Sequence, residues 1–170
     1  VGTVRVLNWP DYIEPSVLAD FEKEYNIRVI YDIFASNEDL QNKLRTGTPY
    51  DVVIPTGNTV PALTEGGLLA KLDKASLKNL ANIDPRVDAA MRSWDKDGSY
   101  SLPYMWYTVG IAWNPKLTAK FAPGQVMESM NNVFDPEMAR RFQSCGVGIE
   151  DSATDVVPLA AIAGGQPKWD

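Results

Sequence analysis

Histidine is absent from the 170 residues. With it go Ser-His-Asp and Cys-His catalysis, histidine-ligated zinc and histidine pH switching. Cysteine occurs once, as Cys145, so neither an internal disulfide nor a cysteine metal cluster can form, and thiol pairing does not reveal the compartment. A lone thiol of this kind is expected to be buried and structural. No run approaches the roughly 18 apolar residues that span a bilayer. No charged start followed by an apolar stretch precedes Val1; a secreted protein is expected to have lost such a leader already. Acidic residues outnumber basic ones 22 to 16, a formal charge of −6, which repels phosphate-rich partners unless a basic patch intervenes. The one basic doublet, Arg140 and Arg141, reads as the solvated face of a helix, so no nucleic-acid partner is expected. Neither GxGxxG nor GxxxxGK occurs, and without those phosphate-cradling loops no nucleotide cofactor is expected.

What is present is an ordinary globular composition, 45% hydrophobic and 22% charged, enough for one good core or for one lobe of a two-lobed protein plus part of another. Val4 to Trp9 reads as a buried strand stopped by Pro10, and Pro15 opens a helix in which Val17, Leu18, Phe21 and Tyr25 share a face. Arg28 to Phe34 is β-branched and aromatic, and Ser36 can cap a helix from Asn37 to Arg45 with Leu40 and Leu44 inward. Asp51 to Ile54 is a short apolar strand of the kind covered by helices on both faces of a parallel sheet. The rhythm is βαβαβ, an α/β fold. Thr59 to Glu65 suggests another helix closed by Gly66 and Gly67, and Leu68 to Pro85 reads as a surface connection. Two extended segments broken at Pro103 and ending in a turn at Asn114-Pro115 are expected next, then a helix over Pro136 to Gln143, a short strand over Gly146 to Ile149 and a helix over Asp155 to Ala163.

In an open α/β sheet ligands bind beyond the carboxyl ends of the strands, which makes the loops Trp9 to Tyr12, Phe34 to Glu38 and Pro55 to Asn58 the candidates. Trp9, Asp11 and Tyr12 combine two π-faces with one carboxylate, a set suited to an ammonium group. Cation–π contact contributes about 0.5 to 2 kcal/mol, and a hydrogen bond to a carboxylate about 1.5 to 3 kcal/mol. The plainer alternative has Trp9 ending a core strand, Tyr12 stapling the next helix and Asp11 capping it. Thr56, Gly57 and Asn58 offer a hydroxyl, a permissive glycine and an amide to a polar ligand, or simply form a turn. Glu38 fits a helix first turn and Asp51 the wrong end of its strand, so the two do not make an acid/base pair. Tyr104, Trp106, Tyr107 and Trp113 offer either an aromatic box or, the favoured reading, ordinary core where strands leave the lobe, with a hinge at Gly110. Glu150, Asp151 and Asp155 cluster at a strand-to-helix junction, either as helix caps or with one of them facing a cleft.

Taken in order, LNWPDYI (Leu7 to Ile13), FEKEYNIRVIYDIFASNEDL (Phe21 to Leu40), YDVVIPT (Tyr50 to Thr56), LPYMWYTVGIAWNP (Leu102 to Pro115) and SCGVGIEDS (Ser144 to Ser152) resemble the putrescine- and spermidine-binding periplasmic proteins of bacterial ABC transporters. The resemblance implies a periplasmic-binding-protein-like (type II) α/β protein that closes at a hinge on a linear amine and makes or breaks no covalent bond. Residues 1–109 would form the first lobe, and 110–170 the incomplete start of a second, since family members run to about twice this length. It places Trp9, Asp11 and Tyr12 on ligand-contacting positions of the first loop, Thr56 and Asn58 on a loop lining the same cleft, and Asp155 on an acidic position of the second lobe. Pro10 departs from the family's usual Ser or Thr, and Asp155 from its more typical Glu, shortening that carboxylate's reach by a methylene. The expected partners are a polyamine and a membrane permease, the expected location is the periplasm or, lipid-anchored, the exterior of a Gram-positive cell, and self-association of the chain is expected from an exposed sheet edge. Two rival readings are a sensor presenting a bound amine to a receptor, and a small α/β enzyme with Asp or Cys145 as nucleophile, the latter lacking a recognisable activating base.

Overall fold

Parallel strands cannot be joined by a tight turn, so each pair here is connected by a helical crossover. In the computed structural model, which describes residues 2–166, β1 (Gly2–Asn8) lies between β2 (Ile27–Ile33) and β3 (Val52–Val53) in a parallel sheet of order β2-β1-β3. Gly2 pairs with Ile27 and so on to Asn8 with Ile33, while Val6 pairs with Val52. Helix α1 (Pro15–Tyr25) makes the first crossover and α2 (Asn37–Arg45) the second, as the βαβαβ pattern requires. Pro15 begins α1, where its missing N–H costs nothing, and Asn26 ends it in the left-handed region at φ 53°. Ser36 caps α2 by accepting the Asp39 N–H at 3.1 Å, and the Asp39 carboxylate accepts the Ala35 N–H at 3.2 Å.

The chain divides into two units, Val1–Trp106 and Tyr107–Asp170. In the first, Leu7, Phe34, Leu40 and Leu63 form a fully buried core with Trp9, Leu44 and Val53 packed on it. Helix α3 (Val60–Glu65) follows a 3-10 turn at Gly57–Thr59, two further 3-10 turns punctuate the surface connection, and α4 (Pro85–Met91) is a helix the sequence pattern did not announce. The apolar face of α1 is not buried: the Phe21 and Tyr25 rings lie 4.9 Å apart as a shared face requires, yet both they and Val17 are exposed. Ile33 and Val52 are also about half exposed, which corrects the expectation of a sheet covered on both faces. The core forms where Leu40 of α2 and Leu63 of α3 pack with Leu7 of β1 and Phe34.

The second unit holds α5 (Pro115–Phe121), α6 (Asn131–Phe134), α7 (Pro136–Arg141) and α8 (Ala153–Ala163) around a small core of Ala122, Met127 and Phe142. Its expected last residues, 167–170, lie outside the described range. Asn114 and Pro115 start a helix instead of making a turn: the Asn114 Oδ1 accepts the N–H groups of Lys116 and Leu117 at 3.0 and 3.3 Å. The extended segments around Pro103 and the strand over Gly146 to Ile149 gain no ladder partner and are irregular. Tyr104, Trp106, Tyr107 and Trp113, expected in the core, stand at the surface, Trp106 with 75% of its area exposed. Cys145 is likewise exposed, its thiol donating to the Phe142 carbonyl at 3.3 Å. No described helix is long and apolar enough to cross a membrane.

Candidate functional site

The register of the parallel sheet brings the carboxyl ends of its strands to one edge. The Phe34 N–H donates to the Asn8 carbonyl at 3.1 Å and the Ile54 N–H to the Leu7 carbonyl at 3.0 Å, so the second and third loops leave the sheet beside the first. Asp51 sits at the opposite end, accepting the Arg5 N–H at 2.8 Å, where it has no part in this edge.

Trp9 is half-buried and divides its ring between two neighbours: its centroid lies 4.3 Å from Phe34 of the core and 6.2 Å from Tyr12 of the loop. Asn8, buried beneath it, accepts the Trp9 N–H at 2.7 Å and so fixes the exit of the chain from the strand. Asp11 follows, exposed and with φ 58°, a conformation that costs a non-glycine residue about 1 kcal/mol and that aspartate tolerates better than most. It does not cap α1, whose N-cap position is Glu14, and its carboxylate forms no ion pair among the described residues. Tyr12 is tied down through its carbonyl, which accepts the hydroxyl of Tyr104.

On the third loop, the Thr56 hydroxyl donates to Asn58 Oδ1 at 2.6 Å and lies 3.2 Å from the Thr59 hydroxyl. The Thr56 N–H donates to Oδ1 of buried Asn37 at 3.3 Å, linking this loop to the start of α2. With its own hydrogen engaged, the Thr56 oxygen keeps lone pairs for a ligand N–H. Nearby, the Tyr31 hydroxyl is buried and makes no hydrogen bond among the described residues; burial pushes this phenol up, the neighbouring Asn8 side chain opposes that, and Tyr104 adds to it.

Asp155 belongs to the second unit. Its Oδ1 accepts the Tyr107 hydroxyl at 3.0 Å and its Oδ2 the Ser152 hydroxyl at 2.7 Å, at the first turn of α8. Two hydroxyl donors leave further lone pairs on the carboxylate. The second unit also contains a cavity of about 300 Å³ whose apolar lining, Ile111, Met127 and Phe142 among others, continues its core, and to which Asn114, Asn132 and Glu150 add polar groups. Among the described residues no group of three or more Cys, Asp or Glu side chains gathers to hold a metal.

The structure thus places Trp9, Asp11, Tyr12, Thr56 and Asn58 on loops of one sheet edge, with Asp155 on the other unit. Sequence reasoning passed over Asn37, which holds the third loop. A polar residue just after a cap signal was the one clue to it.

Comparison with known proteins agrees with this architecture. The bacterial extracellular solute-binding protein family matches residues 16–170, and the chain belongs to that family. It is 38% identical over 159 residues to the putrescine-binding periplasmic protein SpuD of Pseudomonas aeruginosa, covering 92% of this chain and 43% of that protein. With the putrescine-binding periplasmic protein PotF of Escherichia coli it shares 36% identity over 156 residues, 91% of this chain and 42% of the relative. A solved structure described as a putative spermidine/putrescine ABC transporter from Listeria monocytogenes superposes with a TM-score of 0.72 at 38% identity, over 81% of this chain and 41% of that one. The chain spans less than half the length of the curated relatives it matches.

Proposed function

We infer that this chain captures a di- or polyamine, of the putrescine or spermidine kind, for delivery to an ABC permease, without covalent chemistry. The observation that carries the reading is Asp11: an exposed carboxylate with no ion pair among the described residues, in the left-handed backbone region between Trp9 and Tyr12 in the chain, at the edge where α/β sheets take ligands. Trp9 and Tyr12 pack on the cation and its methylenes, Asp11 neutralises one ammonium, and Thr56 and Asn58 orient the ligand. The reading also assigns Asp155 to ligand binding, its carboxylate already organised by Tyr107 and Ser152. The periplasm is the location that fits, since the relatives are named for it. The 170 residues alone, with Trp106 and the α1 stripe exposed, are expected to bind amines weakly and to self-associate, read by light scattering across a dilution series.

Calorimetric titration of the full-length gene product with putrescine, spermidine and agmatine tests the reading. At least one amine should bind without turnover. Silence toward all three, or product formation from any of them, would overturn it.

A further inference from the structure

Gly57 has a backbone that any residue could adopt, since it is not in the left-handed region. What requires glycine is a neighbour. A Cβ built there would lie 2.4 Å from Cε3, 2.7 Å from Cζ3 and 3.0 Å from Cδ2 of Trp94, far inside the roughly 3.5 to 4 Å of favourable carbon contact. The indole therefore lies directly on the main chain between Thr56 and Asn58. Yet Trp94 is 41% exposed, so it is not a core residue that happens to brush a loop.

The turn that carries Trp94 is rigid. Its N–H donates to the Met91 carbonyl at 3.0 Å, continuing the end of α4. The next residue, Asp95, is buried and accepts the N–H groups of Ser99, Tyr100 and Ser101 at 3.2, 2.9 and 2.8 Å and the Ser101 hydroxyl at 2.8 Å. Arg92 pairs with Asp88 and donates to the Asp95 carbonyl at 3.2 Å. Gly98, with φ 63°, leaves the space that Arg92 fills, for a Cβ there would meet Nη1 at 1.7 Å. On its other flank the loop is held by Asn37, which accepts the Thr56 N–H.

We propose that Trp94 is a positioning residue for the amine site: its indole, seated on Gly57, clamps the Thr56–Asn58 loop against Asn37 and fixes where the Thr56 oxygen and the Asn58 amide meet the ligand. The inference rests on the amine-binding reading above. A loop fixed in this way sets the distance between its acceptors and the first loop, and so discriminates between amines of different length.

The test is a double-mutant cycle on the full-length gene product, with putrescine and spermidine affinities and melting temperatures measured for wild type, Gly57→Ala, Trp94→Ala and the double variant. Gly57→Ala should weaken the preferred amine by about tenfold, because the added methyl displaces the loop or the indole. Trp94→Ala should weaken it and narrow the putrescine-to-spermidine ratio. The double variant should bind like Trp94→Ala alone, since without the indole the methyl meets nothing. Wild type that binds neither amine sinks the amine reading and this inference with it. Wild type that binds, with Trp94→Ala matching its affinity and amine ratio, or with the two losses simply adding, sinks this inference and leaves the amine reading standing. Should Gly57→Ala fail to fold, Trp94→Ala and Trp94→Phe decide alone: an unchanged amine ratio in both overturns the proposal.

Discussion

Replacing Asp95 by Asn perturbs the first unit at a point where the consequence can be worked through. The carboxylate is 5% exposed and accepts four hydrogen bonds, three from backbone N–H groups and one from a hydroxyl. Asparagine keeps one acceptor oxygen; set in the place of Oδ2, it retains the bonds from Tyr100 and Ser101 as neutral ones and turns an NH₂ toward the Ser99 N–H. Each of the three retained bonds falls from roughly 1.5–3 to roughly 0.5–1.5 kcal/mol, while the Ser99 N–H keeps the Asp97 carboxylate as acceptor at 3.0 Å, so about 3 kcal/mol of stability should be lost. For a chain of this size that corresponds to a fall of about 6 to 12 °C in melting temperature. The pH dependence follows from the same contacts. Burial alone would raise the Asp95 pKa, but the N–H donors of Tyr100, Ser101 and Ser99 and the Ser101 hydroxyl outweigh it and hold it below the ordinary 3.8. A depressed folded-state pKa contributes stability that is complete above the unfolded value and is lost as pH falls through the folded one. The gap between wild type and variant should therefore be full at pH 7 and shrink below about pH 4. Thermal melts followed by circular dichroism at pH 7, 5, 4 and 3 read both effects. A variant melting within about 2 °C of wild type at pH 7, or a gap that does not narrow in acid, would refute the reasoning.

Leu40 is fully buried among Leu7, Phe34 and Leu63; Leu40→Ala should cost about 3 kcal/mol in urea unfolding, with the slope unchanged. Tyr31→Phe removes a buried hydroxyl with no hydrogen-bond partner among the described residues and should leave stability equal or raise it by about 1 kcal/mol in the same assay. Trp9 contacts both Phe34 and Tyr12, so Trp9→Ala should lower melting temperature and amine affinity together, whereas Trp9→Phe should keep most of the stability and lose affinity.

The first unit was legible because its signals are local and mutually consistent. The Ser36 cap and the Leu40/Leu44 spacing gave α2 to the residue, Pro15 gave the start of α1, and three apolar runs gave the strands to within a residue or two at most ends. The same pattern overstated burial. Val17, Phe21 and Tyr25 share a face as expected, but whether a face is covered depends on a distant partner, which periodicity does not encode. The aromatic segment failed for the same reason: Tyr104 to Trp113 has strand composition, and strands form only where another strand supplies the ladder. Of the site, Trp9, Asp11 and Tyr12 were readable as a chemical set on one loop. The pairing of Gly57 with Trp94, 37 positions apart and joined only by steric fit, leaves no trace in spacing. Asn114-Pro115 shows the limit of turn chemistry, because the residues that favour a turn are also those that start a helix.

The central claim is that the Asp11 carboxylate beside the Trp9 and Tyr12 rings receives an ammonium group. Titrating putrescine into the full-length gene product and into its Asp11→Asn variant, side by side at low and physiological salt, tests it most directly. Wild type should bind, and the variant, equal in size and exposed so that folding is untouched, should bind at least about tenfold more weakly. Equal affinity in the two proteins would contradict the account.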